Sequence, residues 1–298
     1  MNLNPIEPVA EGTAIAFRNV GLSFDEKRVL WDVSFQLQRG EMIVITGTSG
    51  SGMSVLLRLA IGLLHPDEGQ IFIAGQEIER LSETELLGVR SRLMGIVFQE
   101  DTLFTALTVY DNTAYRLVEH NWPEADVDRE VDEILRFVGL ENDTEKIPEE
   151  LSIGMRRRLE IARALAGWPP IMLFDEPTSG LDPINSRQVL DLVIRARDIH
   201  NISSLYVTKE LHEIPYLETH RAVKDSSGAV VIRKDEEQPS AAVKVMVLEK
   251  GRVAFSGSPE EFASSNLPAV TNLTNPGRGI RSSHTYAPDP WSRSRSSE

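Results

Sequence analysis

The first candidate site is a glycine-rich loop that follows the apolar run at residues 42–46. The loop reads Gly47-Thr48-Ser49-Gly50-Ser51-Gly52-Met53-Ser54. Small side chains let successive backbone N–H groups turn inward around a phosphate, and a helix beginning near Ser54 would add the partial positive charge of its N-terminus. The Ser54 hydroxyl is placed to ligate Mg²⁺. Met53 stands where a phosphate-binding loop has lysine, so the loop alone fits either a phosphate site or a plain glycine-rich turn.

A pair of neighbouring carboxylates forms the second candidate site. Asp175 and Glu176 close the apolar run at residues 171–174, which has the composition of a fully buried strand. The aspartate is suited to hold Mg²⁺ through water, and the glutamate is suited to polarise an attacking water. The alternative interpretation is an ordinary strand end with acidic caps.

The residues around the carboxylate pair favour the catalytic interpretation. Residues 175–183 read Asp-Glu-Pro-Thr-Ser-Gly-Leu-Asp-Pro, the run that follows this strand in ATP-binding-cassette (ABC) ATPases. Residues 151–155, Leu-Ser-Ile-Gly-Met, resemble the ABC signature loop. Gln99 and Phe24 match the glutamine of the Q-loop and the aromatic residue that stacks on adenine. The chain therefore resembles an ABC transporter ATP-binding subunit over roughly residues 14–262.

The resemblance implies ATP and Mg²⁺ as ligands and assigns roles by position. Catalytic roles fall on Glu176, Gln99 and Lys209, and Mg²⁺ would be held by Ser54, Gln99 and Asp175. The nucleotide would contact Phe24, Gly47, Thr48, Ser49, Gly50, Ser51, Gly52, Met53, Ser54, Val55, Ser152 and Gly154. Two such subunits would face each other head to tail. Each ATP would then lie between the glycine-rich loop of one subunit and residues 151–155 of the other.

Three positions depart from the family pattern. Met53 replaces the lysine of the phosphate loop, Lys209 stands where the switch histidine belongs, and Ile153 replaces the first glycine of the signature loop. A cation about 4 Å from a phosphate contributes on the order of 4 kcal/mol at an effective dielectric constant of about 20. Losing the lysine should therefore weaken ATP binding and slow hydrolysis. Lys209 either returns this charge from another strand or points to solvent.

Two classes of function are compatible with these departures. The first is a working transport ATPase, as a homodimer or beside a competent second nucleotide-binding subunit. The second is a non-hydrolysing subunit that senses ATP or only holds a permease in place. The residues favour ATP binding over catalysis, although Glu176 is retained, and they do not choose between homodimer and heterodimer.

A narrower resemblance concerns residues 98–120. The runs Phe-Gln-Glu-Asp-Thr-Leu-Phe at 98–104 and Leu-Thr-Val-Tyr-Asp-Asn-Thr-Ala-Tyr at 107–115 look like the ATPase of MCE/Mla lipid-trafficking transporters, and so does Met155. The resemblance implies a hydrophobic lipid as cargo. It also implies an integral-membrane permease, touched by residues 99–115, and an MCE-domain protein as partners. The alternative is a generic importer or exporter ATPase.

The elements that must position these residues alternate between strands and helices, which predicts an α/β fold with a parallel sheet wrapped by helices. The resemblance implies the ABC type of P-loop NTPase fold, with a RecA-like parallel-sheet core, an antiparallel β subdomain and an α-helical subdomain at about 100–165. We expect a flexible N-terminus at 1–12, the nucleotide-binding domain at 13–265 and an insertion at about 221–243 that forms a hairpin. Low apolar content predicts disorder at 266–298.

Bulk composition narrows the partners. The net charge of −14 argues against nucleic acid and against direct docking on anionic lipid. The absence of cysteine excludes disulfides, thiolate zinc sites and cysteine nucleophiles. No apolar run is long enough to span a membrane. We therefore expect a cytoplasmic protein that is peripheral on the inner face of the cell membrane through its permease.

Overall fold

The computed structural model describes residues 12–25, 27–235 and 242–274. The strands are β1 (Thr13–Phe24), β2 (Lys27–Gln38), β3 (Met42–Gly47), β4 (Glu68–Ile73), β5 (Gln76–Glu77), β6 (Met94–Val97), β7 (Ile171–Asp175), β8 (Ser203–Val207), β9 (His220–Lys224), β10 (Val230–Lys234), β11 (Val243–Glu249) and β12 (Arg252–Gly257). The helices are α1 (Met53–Ala60), α2 (Glu83–Leu93), α3 (Val109–Glu119), α4 (Glu124–Val138), α5 (Ile153–Leu165), α6 (Pro183–His200), α7 (Glu213–Thr219), α8 (Pro259–Ser264) and α9 (Pro268–Thr274).

A six-stranded sheet forms the centre of the fold, in the order β12-β11-β3-β8-β7-β6. The five strands from β11 to β6 pair in parallel, and β12 pairs with β11 in the antiparallel sense. Every residue of β3, β7 and β8 is buried, which explains their continuous apolar sequences. Because β3, β8 and β7 run parallel, the segments that follow them emerge at one edge, where ligand sites of such sheets lie.

An antiparallel sheet and a group of helices flank the central sheet. The antiparallel sheet has the order β2-β1-β4-β5, and its apolar face shares one buried cluster with α1 and one side of the central sheet. On the other side, α3, α4 and α5 pack together within the second cluster. Helix α4 buries an apolar stripe that includes Val127, Val131 and Leu135, and it ends at Gly139, whose φ of 70° is left-handed. These three parts correspond to the predicted core, β subdomain and helical subdomain.

The segment after α7 contains the hairpin that we expected in the insertion. Strands β9 and β10 pair in the antiparallel sense around a turn at Asp225, whose N–H donates to the Ala229 carbonyl at 2.9 Å. Residues 236–241 of the predicted insertion lie outside the described residues, as do the predicted flexible residues 1–11.

The prediction of disorder from residue 266 onward is wrong for its first part. Helix α9 occupies Pro268–Thr274 and buries Ala269 and Val270 beside β11 and β12. These two apolar side chains dock the short helix on the core. The low apolar content of the tail as a whole gives no sign of this local pair. Residues 275–298 lie outside the described residues.

Candidate nucleotide-binding site

The phosphate loop, residues 47–54, connects β3 to α1 and depends on glycine at two positions. A Cβ at Gly47 would lie 2.2 Å from the carbonyl oxygen of Leu248 on β11. Gly52 has a φ of 104°, and a Cβ there would lie 2.7 Å from Leu30 Cδ2. The loop thus follows a path that only glycine permits at these points.

The start of α1 leaves its backbone donors available for an anion. Gly52 caps the helix with no side-chain hydrogen bond, and the first turn contains no acidic residue. The first N–H groups of a helix have no partner within the helix and attract phosphate. Behind the loop, the Gly251 N–H donates to the Ser51 carbonyl at 3.2 Å, so the β11–β12 turn supports it. The backbone of the loop therefore fits a phosphate group.

Met53 belongs to the core rather than to the open side of the loop. Its side chain is 5% exposed and lies in the apolar cluster that contains Leu56 and Leu57. The position that supplies a cation in this type of loop thus supplies packing here, and the loop has no charge of its own.

Ser54 and Asp175 are brought together as predicted for a magnesium site. The Ser54 hydroxyl donates to Asp175 Oδ1 at 3.1 Å. Burial raises the pKa of Asp175 above its ordinary value, and the Ser54 hydrogen bond opposes this shift. A hydroxyl and a carboxylate are oxygen ligands of the kind Mg²⁺ accepts, with nucleotide phosphates and water as the others. Accordingly, no group of three or more His, Cys, Asp or Glu side chains that could enclose a metal occurs in the described part of the chain.

Glu176 and Lys209 form an ion pair at the same edge of the sheet. Lys209 Nζ lies 2.5 Å from Glu176 Oε1, with the two side chains 39% and 11% exposed. Glu176 has a φ of 47°, and its N–H donates to the Val207 carbonyl at 2.9 Å, which fixes it beside the end of β8. Lys209 thus does not simply point to solvent. It forms an ion pair with the carboxylate to which the family pattern assigns activation of the attacking water.

A buried polar network behind this pair was not identified from the sequence. Glu213 is fully buried and accepts hydrogen bonds from Thr178 and from the Tyr206 hydroxyl, the latter at 2.9 Å. Burial raises the pKa of Glu213, although the hydrogen bonds oppose this shift. Thr178 follows Glu176 by two residues, so Glu213 braces the segment that carries Glu176. Glu213 also lines a cavity of 280 Å³ together with Glu176 and Lys209. Only the packing of α7 buries this carboxylate, and no local sequence pattern indicates it.

The signature loop, residues 151–155, lies at the start of α5. Ser152 accepts from the Met155 N–H at 3.2 Å and caps the helix, while Ile153 is 60% exposed. A Cβ at Gly154 would lie 1.9 Å from Asn185 Oδ1, a contact that the sequence did not predict. No hydrogen bond or ion pair within residues 12–25, 27–235 and 242–274 joins this loop to the phosphate loop of the same chain.

Gln99 and Phe24 lie on loops around the site. Gln99 follows β6 and is exposed, with its carbonyl oxygen accepting from Arg157 at 3.2 Å. Its side chain is not hydrogen-bonded to Ser54 or Asp175. Phe24 ends β1 and is 45% exposed. The β1–β2 hairpin reaches the phosphate loop because Leu30 packs against Gly52.

A glycine-rich loop after β3, a buried carboxylate after β7 and a helix N-terminus free of acids define a P-loop nucleotide-binding fold. The family described as ABC transporter matches residues 30–179. The chain is 40% identical over 270 residues to the "probable ribonucleotide transport ATP-binding protein mkl" of Mycobacterium leprae, which covers 90% of this chain and 70% of that protein. The chain belongs to the ATP-binding proteins of ABC transporters.

Further relatives and solved structures agree with this family. A methionine import ATP-binding protein of Bifidobacterium longum is 38% identical over 82% of this chain, which spans only 61% of that protein. The structure of cbiO1 from Clostridium perfringens, part of the transporter complex cbiONQ, has a TM-score of 0.72 and 26% identity, covering 90% of this chain and 98% of that one. The dimeric bacterial cassette MJ0796 has a TM-score of 0.68 and 26% identity, covering 82% and 98% of the two chains. The predicted ABC-type fold is thereby confirmed.

Two other predictions concern the MCE/Mla resemblance and membrane-spanning segments. None of these relatives is named for a lipid, so the narrower resemblance to MCE/Mla ATPases is not confirmed. Among the helices that the structure describes, none combines the length and the apolar character needed to cross a membrane.

Proposed function

We propose that this chain is an ATP-binding subunit that holds Mg²⁺-ATP for an ABC transporter and hydrolyses it slowly by itself. The observation that carries this proposal is the 2.5 Å ion pair between Lys209 and Glu176. The ammonium group of Lys209 occupies an oxygen of the carboxylate that would otherwise orient and polarise the attacking water. Met53 removes the second cation that would stabilise the charge of the transferred phosphoryl group.

The backbone of the site supports binding even without that cation. The N–H groups of the phosphate loop and of the α1 N-terminus would hold the phosphates, and Phe24 would stack on the base. Ser54, Asp175 and Gln99 would hold Mg²⁺, which neutralises phosphate charge when bound. Lys209 is the cation best placed to exchange its carboxylate partner for the γ-phosphate. ATP binding would then draw Lys209 away from Glu176.

A second nucleotide-binding subunit would complete each site. Ser152 and Ile153 are exposed, and no hydrogen bond or ion pair of the described residues joins their loop to the phosphate loop of the same chain. It is therefore available to contact a nucleotide bound to another subunit, as the dimeric form of the similar cassette suggests. With a competent partner, this chain would supply its signature loop to a hydrolysing site. A permease would hold the pair on the inner face of the cell membrane.

The cargo has two candidates. Similarity to several methionine import ATP-binding proteins favours import of methionine or another small solute. The likeness of residues 98–120 and Met155 to MCE/Mla ATPases supports a hydrophobic lipid, with an MCE-domain protein as a further partner. ATPase activity of the complex with its permease should separate these candidates. Stimulation by methionine with its binding protein would favour the importer, and stimulation by phospholipid would favour the lipid transporter.

The test of the central proposal is Mg²⁺-ATP binding and phosphate release measured in the same samples. Wild type is compared with Met53→Lys, Lys209→His and the double variant. We expect wild type to bind ATP with little release, and release to rise strongly only when both positions are changed. Fast release by wild type alone would contradict the proposal. Failure of wild type to bind ATP would indicate a purely structural subunit.

A further inference from the structure

The loop that carries Gln99 is held by charged side chains of α5. Arg157 donates from Nη1 to the Phe98 carbonyl at 2.8 Å and from Nη2 to the Gln99 carbonyl at 3.2 Å. Glu160 accepts from the Thr102 N–H at 3.1 Å and from Arg157 Nη1 at 2.6 Å. The two side chains therefore bind the loop at both ends of residues 98–102 and bind each other.

We infer that Arg157 and Glu160 are positioning residues that fix Gln99 relative to the signature loop. The Gln99 side chain has no hydrogen-bond partner among the residues that the structure describes, so its location depends on its backbone. Both carbonyl groups at residues 98 and 99 are anchored on one guanidinium. This inference rests on the proposed role of Gln99 as a ligand of nucleotide-bound Mg²⁺.

Arg157 and Glu160, together called the clamp here, lie on α5. This position has a second consequence. Helix α5 begins at the signature loop, where Ser152 caps it, and Arg157 follows Ser152 by five residues. A helix of this length moves as a rigid unit, so a shift of its first turn against the nucleotide of another subunit also shifts Arg157. The clamp then passes that shift to Gln99. Occupation of one nucleotide site is thus linked to the geometry of the other.

The pair is buried, which makes its contacts strong and its disruption specific. The side chains of Arg157 and Glu160 are 11% and 4% exposed. Removing only one partner leaves an uncompensated buried charge, whereas replacing both avoids that cost. The useful variants are therefore Arg157→Met with Glu160→Gln, beside Arg157→Met alone. Arg156→Met is the matched control, because Arg156 lies on the same helix and makes only a partly exposed ion pair with Asp101 at 3.7 Å.

The readout is the ratio of ATP affinity with Mg²⁺ to ATP affinity in EDTA. We expect Gln99→Ala and the Arg157→Met/Glu160→Gln variant each to lower this ratio about tenfold, the loss of one charge-assisted contact. Combining the two changes should lower it no further, because the clamp acts through Gln99. Arg156→Met should leave the ratio unchanged. An unaffected ratio in the clamp variant, or additive losses in the combination, would overturn the inference.

Hydrogen exchange separates this inference from the proposed function. In a second variant, Arg157→Met/Glu160→Leu, residue 160 can no longer accept from the Thr102 N–H, so the Thr102 amide should exchange faster than in wild type, while the amides of α5 beyond residue 160 keep their protection. If wild type fails to bind ATP, the proposed function fails, and exchange at Thr102 still decides whether the clamp holds the loop. Unchanged exchange at Thr102 would exclude the clamp whatever the nucleotide affinity.

Discussion

Replacing Gly154 with alanine sets two physical effects against each other. Gly154 lies in the first turn of α5, where alanine has the better intrinsic helix propensity, by up to about 1 kcal/mol. The new Cβ, however, would lie 1.9 Å from Oδ1 and 2.4 Å from Cγ of Asn185. Propensity alone predicts a more stable protein, and packing predicts a less stable one.

The surroundings of Asn185 decide which effect is larger. Its side-chain amide donates to Asp182, which also accepts from the Ile184 N–H at 2.9 Å, so Asn185 cannot turn away without breaking a formed contact. Overpacking of this kind costs about 1–3 kcal/mol. After a propensity gain of about 1 kcal/mol is subtracted, we expect a net loss of up to about 2 kcal/mol. For a chain of this size, each kcal/mol lowers Tm by about 2–4 °C.

Thermal unfolding of four proteins tests this balance: wild type, Gly154→Ala, Asn185→Ala and the double variant. Gly154→Ala should lower Tm in the wild-type background and lower it less in the Asn185→Ala background, where the Cβ of residue 185 remains, 3.1 Å from the new Cβ. A loss of equal size in both backgrounds would show that Asn185 is not the obstacle. A higher Tm for the single variant Gly154→Ala would refute the steric reasoning altogether.

Three further predictions concern the nucleotide site. Lys209→Ala should weaken ATP binding by about five- to thirtyfold and reduce its salt dependence, because one partly screened cation is lost; calorimetry measures both. Lys146→Ala is the control, because Lys146 forms an exposed ion pair with Asp143. Equal losses of ATP affinity in the two variants would contradict the role of Lys209. Phe24→Ala should weaken ATP and GTP binding alike by roughly five- to hundredfold through lost stacking, while an unchanged affinity would remove Phe24 from the site. Burial raises the pKa of Glu213 above 4.5, so the stability that this group contributes is present below 4.5 and is lost as pH rises through its folded-state pKa. As pH rises through the folded-state pKa of Glu213, the Tm of Glu213→Gln should therefore rise relative to the Tm of wild type. Parallel curves of Tm against pH would show that ionisation of the buried Glu213 does not lower stability.

The sequence predicted the contacts that depend on strand ends, and it missed those that depend on helix docking. Ser54 and Asp175 were expected together as ligands of Mg²⁺, and they meet in the structure because loops after parallel strands share one edge of a sheet. Burial of Glu213 and the contact between Gly154 and Asn185 involve α7 and α6, whose positions follow from packing over long sequence distances. Local patterns specify which residues are polar or apolar, and they do not specify which polar residues meet in the interior.

The charges around the phosphate loop indicate how ATP binding must differ from that of a lysine-bearing loop. Asp175 and Glu176 place two carboxylates beside the site, and Met53 places an apolar side chain in the core where a cation is expected. The ammonium group of Lys209 is already paired with one of these carboxylates, Glu176. An incoming triphosphate must therefore draw that ammonium group away from Glu176 or bring its own compensating charge. Mg²⁺ bound to the phosphates supplies that charge and gives Asp175 a partner, so ATP affinity should depend on Mg²⁺ more steeply in wild type than in Met53→Lys. Equal dependence on Mg²⁺ in the two proteins would mean that the missing lysine charge is supplied from elsewhere in the chain.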